Sequence, residues 1–236
     1  MPKQRILGVI GGMGSEATAF FFELLVRQTP VEKDQEHLPL IILNLPDIPD
    51  RGSHILGQGE SFLPHLVERA RMLADMGCSI IAIPCNTAHY YWREIQDSVE
   101  VPVLNILSET VRKISLHTAS KPARIGIVAT RGTSRAGLYQ AELDRSNLTP
   151  LTLPEDLQSE VQQSIQWIKQ GIKLGRVVSS LQRSLDFFSR KQAHGVILGC
   201  TELTLVADQL NSALPLFDSL QILVESAIRE VRKDGA

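Results

Sequence analysis

The chain has 236 residues, 43% of them hydrophobic and 21% charged, which suits one large domain or two of about 100–120 residues and speaks against disorder. A net charge of −2 and an aromatic content of 5% exclude an extended nucleic-acid surface or a set of base-stacking platforms. Three cysteines are too few, and odd in number, for a secreted disulfide framework, so a reducing, cytoplasmic setting is expected.

Arg5 to Ile10 is an apolar run that ends in glycines, predicting a strand and a turn. Lys3 and Arg5 ahead of it resemble a signal-peptide start, but glycines at 8, 11, 12 and 14 break the apolar stretch. No run approaches the ~18 apolar residues of a membrane span, so a soluble, unprocessed chain without a membrane partner is expected. Ser15 is placed to cap a helix through Phe20–Val26, closed by Pro30. Leu40–Leu45 reads as a second strand. Pro46 to Gly59, rich in Pro, Asp and Gly, reads as a long exposed loop of the kind that often carries function. Phe62, Leu66, Val67, Ala70 and Leu73 mark an amphipathic helix ended by Gly77, and Ser79–Ile83 is a third strand.

The pattern restarts after Val101-Pro102. Arg124-Ile125-Gly126-Ile127-Val128-Ala129-Thr130 echoes Arg5-Ile6-Leu7-Gly8-Val9-Ile10-Gly11. Alternating strand and helix patterns imply βαβ units and parallel sheets, here in two similar α/β halves. Leu214–Phe217 reads as a strand, and Leu220, Leu223, Val224, Ala227, Ile228 and Val231 line one face of a final helix. The expected division is 1–101 with 215–236 as one domain and 102–214 as the other, the tail returning to the first half.

Two cysteines occupy matched places about half a chain apart. Cys85 follows Ile80-Ile81-Ala82-Ile83-Pro84, and Cys200 follows Val196-Ile197-Leu198-Gly199; each ends an apolar run and opens a helical segment. Ligands of open parallel sheets sit outside the carboxyl ends of the strands. Cys85, Cys200, Gly11–Gly14 and Thr130–Thr133 all fall there, so two facing halves would line one cleft with them. A helix start stabilises a thiolate, and two facing thiols can take a proton from one face of a carbon and return one to the other. Asn86 and Thr87 after Cys85, and Thr201 after Cys200, can hold a carboxylate or simply cap a helix. Glu202 is near enough to pass or orient a proton, or serves as a first-turn charge. Cys78 lacks this setting and reads as core. His89, one turn past Cys85, reads as packing or as a tuner of that thiol. No CxxC, HExxH or other metal-ligand spacing occurs.

These segments, Gly11-Gly12-Met13-Gly14, Pro84-Cys85-Asn86-Thr87-Ala88-His89 and Gly199-Cys200-Thr201-Glu202-Leu203, resemble those of the cofactor-independent aspartate/glutamate racemases over nearly the full chain. The resemblance implies two pseudo-symmetric, flavodoxin-like three-layer α/β domains with the site in the cleft between them. It implies no pyridoxal phosphate and no metal, an amino-acid substrate, and a homodimer. Cys85 and Cys200 would be the acid/base thiols. Met13, Asn86, Thr87, Thr130, Thr133, Thr201 and Glu202 would surround the substrate, and Arg51 and Lys173 would hold its side-chain carboxylate. The glutamate branch carries an Asp-Ser pair after its first strand and a His after the second Cys-Thr. Here Gly12-Met13-Gly14 and Glu202 stand instead, which points to the aspartate or broad-specificity branch.

A rival reading comes from Gly12-Met13-Gly14-Ser15-Glu16-Ala17, which matches G-x-G-x-x-A between strand and helix and suggests a nicotinamide-dependent oxidoreductase. That fingerprint also needs an acid at the end of the second strand, where Asn44-Leu45-Pro46 stands. A non-catalytic small-acid binder, and related thiol enzymes such as maleate isomerase, hydantoin racemase or malonate decarboxylase types, share the expected architecture and are not separated by it.

Overall fold

A computed structural model describes residues 5–118, 123–172 and 175–233. Among them are two parallel sheets. The first comprises β1 (Leu7–Gly11), β2 (Leu40–Asn44) and β3 (Ile80–Ala82) in the order β2-β1-β3, with Val103 bridging Ile81 on the far side of β3. The second comprises β4 (Arg124–Ala129), β5 (Thr149–Leu151), β6 (Gly195–Gly199) and β7 (Leu216–Asp218) in the order β5-β4-β6-β7. The expected α/β class with two similar parallel sheets is the architecture seen. The helices are α1 (Ser15–Gln28), α2 (Arg51–Ile55), α3 (Leu63–Asp75), α4 (Trp92–Asp97), α5 (Ile106–His117), α6 (Arg131–Arg135), α7 (Leu138–Arg145), α8 (Glu155–Lys169), α9 (Gly175–Arg190) and α10 (Ser219–Arg232).

Strand alternation explains the layering. Leu7, Val9, Ile80 and Ala82 point from the first sheet, and Ile125, Ile127, Ala129 and Ile197 from the second, into one shared core that also takes residues of α1, α5, α7 and α10. The opposite faces build two outer cores. Ile10, Ile81 and Ile83 pack with Leu66 and Leu73 of α3, while Val128, Val196 and Leu198 pack with helices α8 and α9. The two halves therefore share their central core.

The tail departs from expectation. Leu216–Asp218 pairs with β6, Val196 opposite Leu216 and Leu198 opposite Asp218, so this strand extends the second sheet. Only its helix reaches the first half, packing α10 against α1 and α5. The reason is a second internal echo. Leu214-Pro215-Leu216-Phe217-Asp218-Ser219-Leu220 repeats Val101-Pro102-Val103-Leu104-Asn105-Ile106-Leu107. In each copy the residue directly after proline-hydrophobic-hydrophobic caps a helix: Asn105 Oδ1 accepts from Leu107 N and Ser108 N, and Asp218 Oδ1 from Leu220 N and Gln221 N.

Three smaller expectations shift. Ser15 is the first helical residue of α1, not its cap; Gly14 is the cap, and Ser15 Oγ accepts from Asn44 Nδ2 at 2.9 Å. The stretch from Pro46 to Gly59 is not simply an exposed loop, because Ile48 and Arg51 are buried and α2 forms within it. Both cysteines open 3₁₀ segments, Thr87–Tyr91 and Thr201–Gln209, rather than α-helices. Among the described residues no helix is long and apolar enough to cross a membrane.

Candidate active site

The carboxyl ends of β1, β3, β4 and β6 converge on a cavity of about 540 Å³. Cys85 and Cys200 both line it, each with its side chain almost wholly buried. From the first half come Met13, Arg51, Asn86 and Thr87; from the second, Thr130, Thr201 and Glu202. Of the expected contacts, Thr133 lies beneath the wall instead of in it, and Lys173 falls outside the described residues.

The turn after β1 is built by glycine and Thr18. Gly12 has φ of +89°, and a Cβ there would stand 2.5 Å from Leu45 O, so only glycine fits. Gly12 N–H donates to Thr18 Oγ1, which donates onward to Gly14 O. This loop brings Met13 O to 3.2 Å from Arg51 Nη2. Arg51 also donates from Nη1 to Ile48 O and Pro49 O, so backbone carbonyls fix its guanidinium at the cavity while donors remain for a ligand. Beside it, Asp50 caps α2 by accepting from Ser53 N at 2.7 Å. Burial would raise its carboxyl, but the Ser53 hydrogen bonds and the Arg51 and Lys169 charges outweigh that and hold it below its ordinary value.

The Cys85 loop is braced from behind. His89 is buried, its Nδ1 lies 2.9 Å from Cys85 O, and its Nε2 accepts from Ile106 N at 3.2 Å. Nε2 also lies 3.2 Å from Leu104 O, and burial lowers the ring's pKa, which favours the neutral form. His89 therefore holds the loop by its backbone. Asn86 is tied across the molecule. Its Oδ1 accepts from Tyr139 OH at 2.5 Å, its Nδ2 donates to Ser219 Oγ at 2.9 Å, and Ser219 donates to Leu198 O at 2.8 Å. Thr87 joins the halves through a hydroxyl triangle: its Oγ1 lies 3.1 Å from Thr130 Oγ1 and 2.9 Å from Thr133 Oγ1, which are 3.0 Å apart. Alongside, a Cβ on Gly132 would meet Gly52 Cα at 2.9 Å, so α2 and α6 touch backbone to backbone.

Cys200 has a different partner. Its Sγ donates to Glu202 Oε2 at 3.0 Å, and Thr201 Oγ1 lies 3.4 Å from the same oxygen. Burial first, and the Glu202 charge second, push this thiol well above its ordinary value, with Lys169 pulling the other way. Lys169, the last residue of α8, places Nζ 3.7 Å from Glu202 Oε1. Burial would lower its pKa, but Glu202, then Cys200 and Cys85, hold it above the usual lysine value.

Lys169 is the functional candidate that sequence reading missed. The signal was there: Val161, Ile165 and Ile168 form the buried face of α8, while Ser159, Gln162, Gln163 and Gln166 form a stripe towards the cavity that ends at Lys169. Uncharged glutamines in a row on the open face of a helix are a mark of something other than solvent. The dinucleotide reading fails locally, since the side chain at the end of β2 is Asn44, an amide donor committed to Ser15. Among the described residues no group of three or more His, Cys, Asp or Glu is placed to hold a metal ion.

The family model described as Asp/Glu/Hydantoin racemase matches residues 10–227. The broad specificity amino-acid racemase RacX of Bacillus subtilis is 28% identical over 229 residues, which is 94% of this chain and 96% of that relative. A glutamate racemase of Corynebacterium glutamicum is 27% identical over 171 residues, 71% of this chain and 59% of the relative. The solved aspartate racemase of Picrophilus torridus superposes with a TM-score of 0.82 at 27% identity, covering 96% of this chain and 94% of its own.

Proposed function

The chain belongs to the Asp/Glu/hydantoin racemase family and is an amino-acid racemase; from that premise we propose that it interconverts L- and D-aspartate with Cys85 and Cys200 as its two acid/base groups. The observation that carries this reading is that both sulfurs line one cavity together with two fixed cations, Arg51 and Lys169. An amino acid with a second carboxylate needs such an arrangement of donors.

The chemistry follows from the two sulfur environments. Cys200 is held as the thiol by its hydrogen bond to Glu202. Cys85 is then the sulfur that begins as thiolate and removes the Cα proton as general base. The electron pair left on Cα delocalises into the α-carboxylate, which the cationic and hydroxyl groups of the cavity stabilise. Cys200 delivers its proton to the opposite face, which inverts the centre and leaves the protonation of the two sulfurs exchanged. A thiolate is a weak base for this proton, so placement and exclusion of water supply much of the acceleration. The hydroxyl triangle of Thr87, Thr130 and Thr133 and the Gly52–Gly132 contact hold the two halves closed over the cavity in this reading. The protein is further read as a cytoplasmic homodimer that needs no cofactor.

The test is racemisation of L-aspartate in heavy water, without added cofactor. Deuterium entering the inverted product ahead of the recovered substrate is the expected result. Equal early labelling of both would mean a single base, and no racemisation of aspartate alongside turnover of other amino acids would displace aspartate as the substrate.

A further inference from the structure

Glu202 carries one oxygen that accepts no hydrogen bond. Oε2 receives the thiol of Cys200, but Oε1 has no hydrogen-bond partner, although the residue is only 4% exposed. Lys169 Nζ, at 3.7 Å, stands outside hydrogen-bond reach of it. Oε1 faces the Gly12–Gly14 turn, 3.4 Å from where a Cβ on Gly14 would stand, at the uncapped start of α1. Two acids line the cavity, and the other, Asp50, already caps α2. A buried carboxylate oxygen left empty costs free energy unless a ligand donor fills it. The donor that an amino acid brings, and that its hydroxy-acid and deamino analogues lack, is the α-ammonium group.

We infer that Glu202 Oε1 is the receptor for the substrate α-ammonium group, so that one carboxylate anchors the amino acid through Oε1 and holds the proton of Cys200 through Oε2. This rests on the amino-acid reading above and names the group that enforces it. It also couples binding to chemistry. A cation on Oε1 offsets the negative charge that keeps Cys200 protonated, so Cys200 is freed to give its proton to the stereocentre only when an ammonium is present. Arg51 and Lys169 are left for the carboxylates.

The experiment compares L-aspartate with succinate, the same molecule without its amino group. For the wild-type protein the KM for aspartate is expected to lie roughly 10-fold or more below the inhibition constant for succinate, the worth of a charge-assisted hydrogen bond. Glu202→Gln keeps the shape and removes the charge; it is expected to raise the aspartate KM roughly 10-fold while succinate inhibits as well as before or better. Glu202→Asp keeps the charge on a shorter arm and is expected to recover part of the loss. If succinate and aspartate weaken together in Glu202→Gln, or the aspartate KM stays put, the ammonium is bound elsewhere. The wild-type comparison needs no variant to fold, and equal affinity for the two ligands would overturn the proposal by itself. The pairs glutamate with glutarate and alanine with propanoate separate the two levels. If aspartate is no substrate but alanine outbinds propanoate, the aspartate reading falls and the role of Glu202 stands; if no amino acid outbinds its deamino partner, the role of Glu202 falls.

Discussion

The Cys85 and Cys200 segments differ in what surrounds a common frame. Each cysteine follows a strand of a parallel sheet, precedes a 3₁₀ segment and lines the same cavity. Behind Cys85 stands a neutral His89 that grips only backbone, while against Cys200 lies a carboxylate that takes the thiol proton in a hydrogen bond. The residues that follow diverge as well. Asn86 reaches across to Tyr139 and Ser219 of the second half, whereas Thr201 lies against Glu202 beside it. The repeated fold brings two sulfurs to one place and gives them unlike partners. A two-base racemase needs both features, because one sulfur must lack the proton that the other holds.

The most severe test of this pairing removes one member at a time. Cys85→Ala and Cys200→Ala are each expected to lower kcat by roughly 10³-fold or more, since positioned acid/base groups contribute about 10²–10⁴-fold and neither sulfur can serve both faces. Chiral chromatography of aspartate incubations reads the rate, and near-normal turnover in either variant would break the two-base model. The asymmetry adds a second readout. At neutral pH, iodoacetamide followed by mass spectrometry is expected to label Cys85 before Cys200, with buried Cys78 as the slow internal reference. Cys200 reacting first would reverse the assignment of base and acid.

A second contrast lies at the caps of the paired helices. Asn105 caps α5 and Asp218 caps α10 at equivalent places in the repeat, but Asp218 is buried with Oδ2 unpartnered and its carboxyl is pushed up to about 6, chiefly by burial against hydrogen bonds from Thr204, Gln221 and Leu220. Between about pH 4 and 6 the unfolded chain has released this proton and the folded chain retains it. Stability from this group is therefore highest at low pH and falls as pH rises through that window, by about 3 kcal/mol in all. Asp218→Asn copies the first half and removes the charge. Denaturant unfolding at pH 4 and pH 7 is expected to show the variant gaining about 2–2.5 kcal/mol on the wild type between the two. A constant difference would mean that Asp218 keeps an ordinary pKa.

Legibility followed the length of the pattern. Alternating apolar runs announced β1, β3, β4 and β6, and the strand-end rule placed Cys85, Cys200, Met13 and Thr130 together before any geometry was known. Short or composite signals were harder. The tail strand is read into the first half because its three residues carry little periodicity, and its kinship with Val101–Leu107 lies in a proline and a capping residue. Arg51 was legible as a cavity cation only through the family resemblance; the turn chemistry at Asp50 that starts α2 is local and brief. Lys169 hides because a lysine ending an amphipathic helix looks like a solvated charge. Tyr139 and Ser219 gave no signal at all, since their role depends on contacts with Asn86 across more than 50 residues of chain.

That Asn86 link offers the gentlest way to sharpen the comparison. Tyr139 belongs to the second half, yet its hydroxyl ends on the residue after Cys85, and burial pushes its own titration upward, so it remains a donor throughout the physiological range. Tyr139→Phe keeps the ring, which packs against Gly199 where a Cβ would clash at 2.8 Å, and leaves Asn86 Oδ1 without a partner. The expected cost is about 1–2 kcal/mol of unfolding free energy, the usual penalty for an orphaned buried acceptor. Catalysis is expected to fall through kcat rather than KM, because the Cys85 loop loosens while the proposed ligand contacts of Arg51, Lys169 and Glu202 are untouched. Thr201→Val, the matching change beside Cys200, removes only a long contact to Glu202 and is expected to cost less on both counts. A Tyr139→Phe enzyme with unchanged kcat would show that the loop after Cys85 needs no brace from the opposite half, and that His89 alone suffices to hold it.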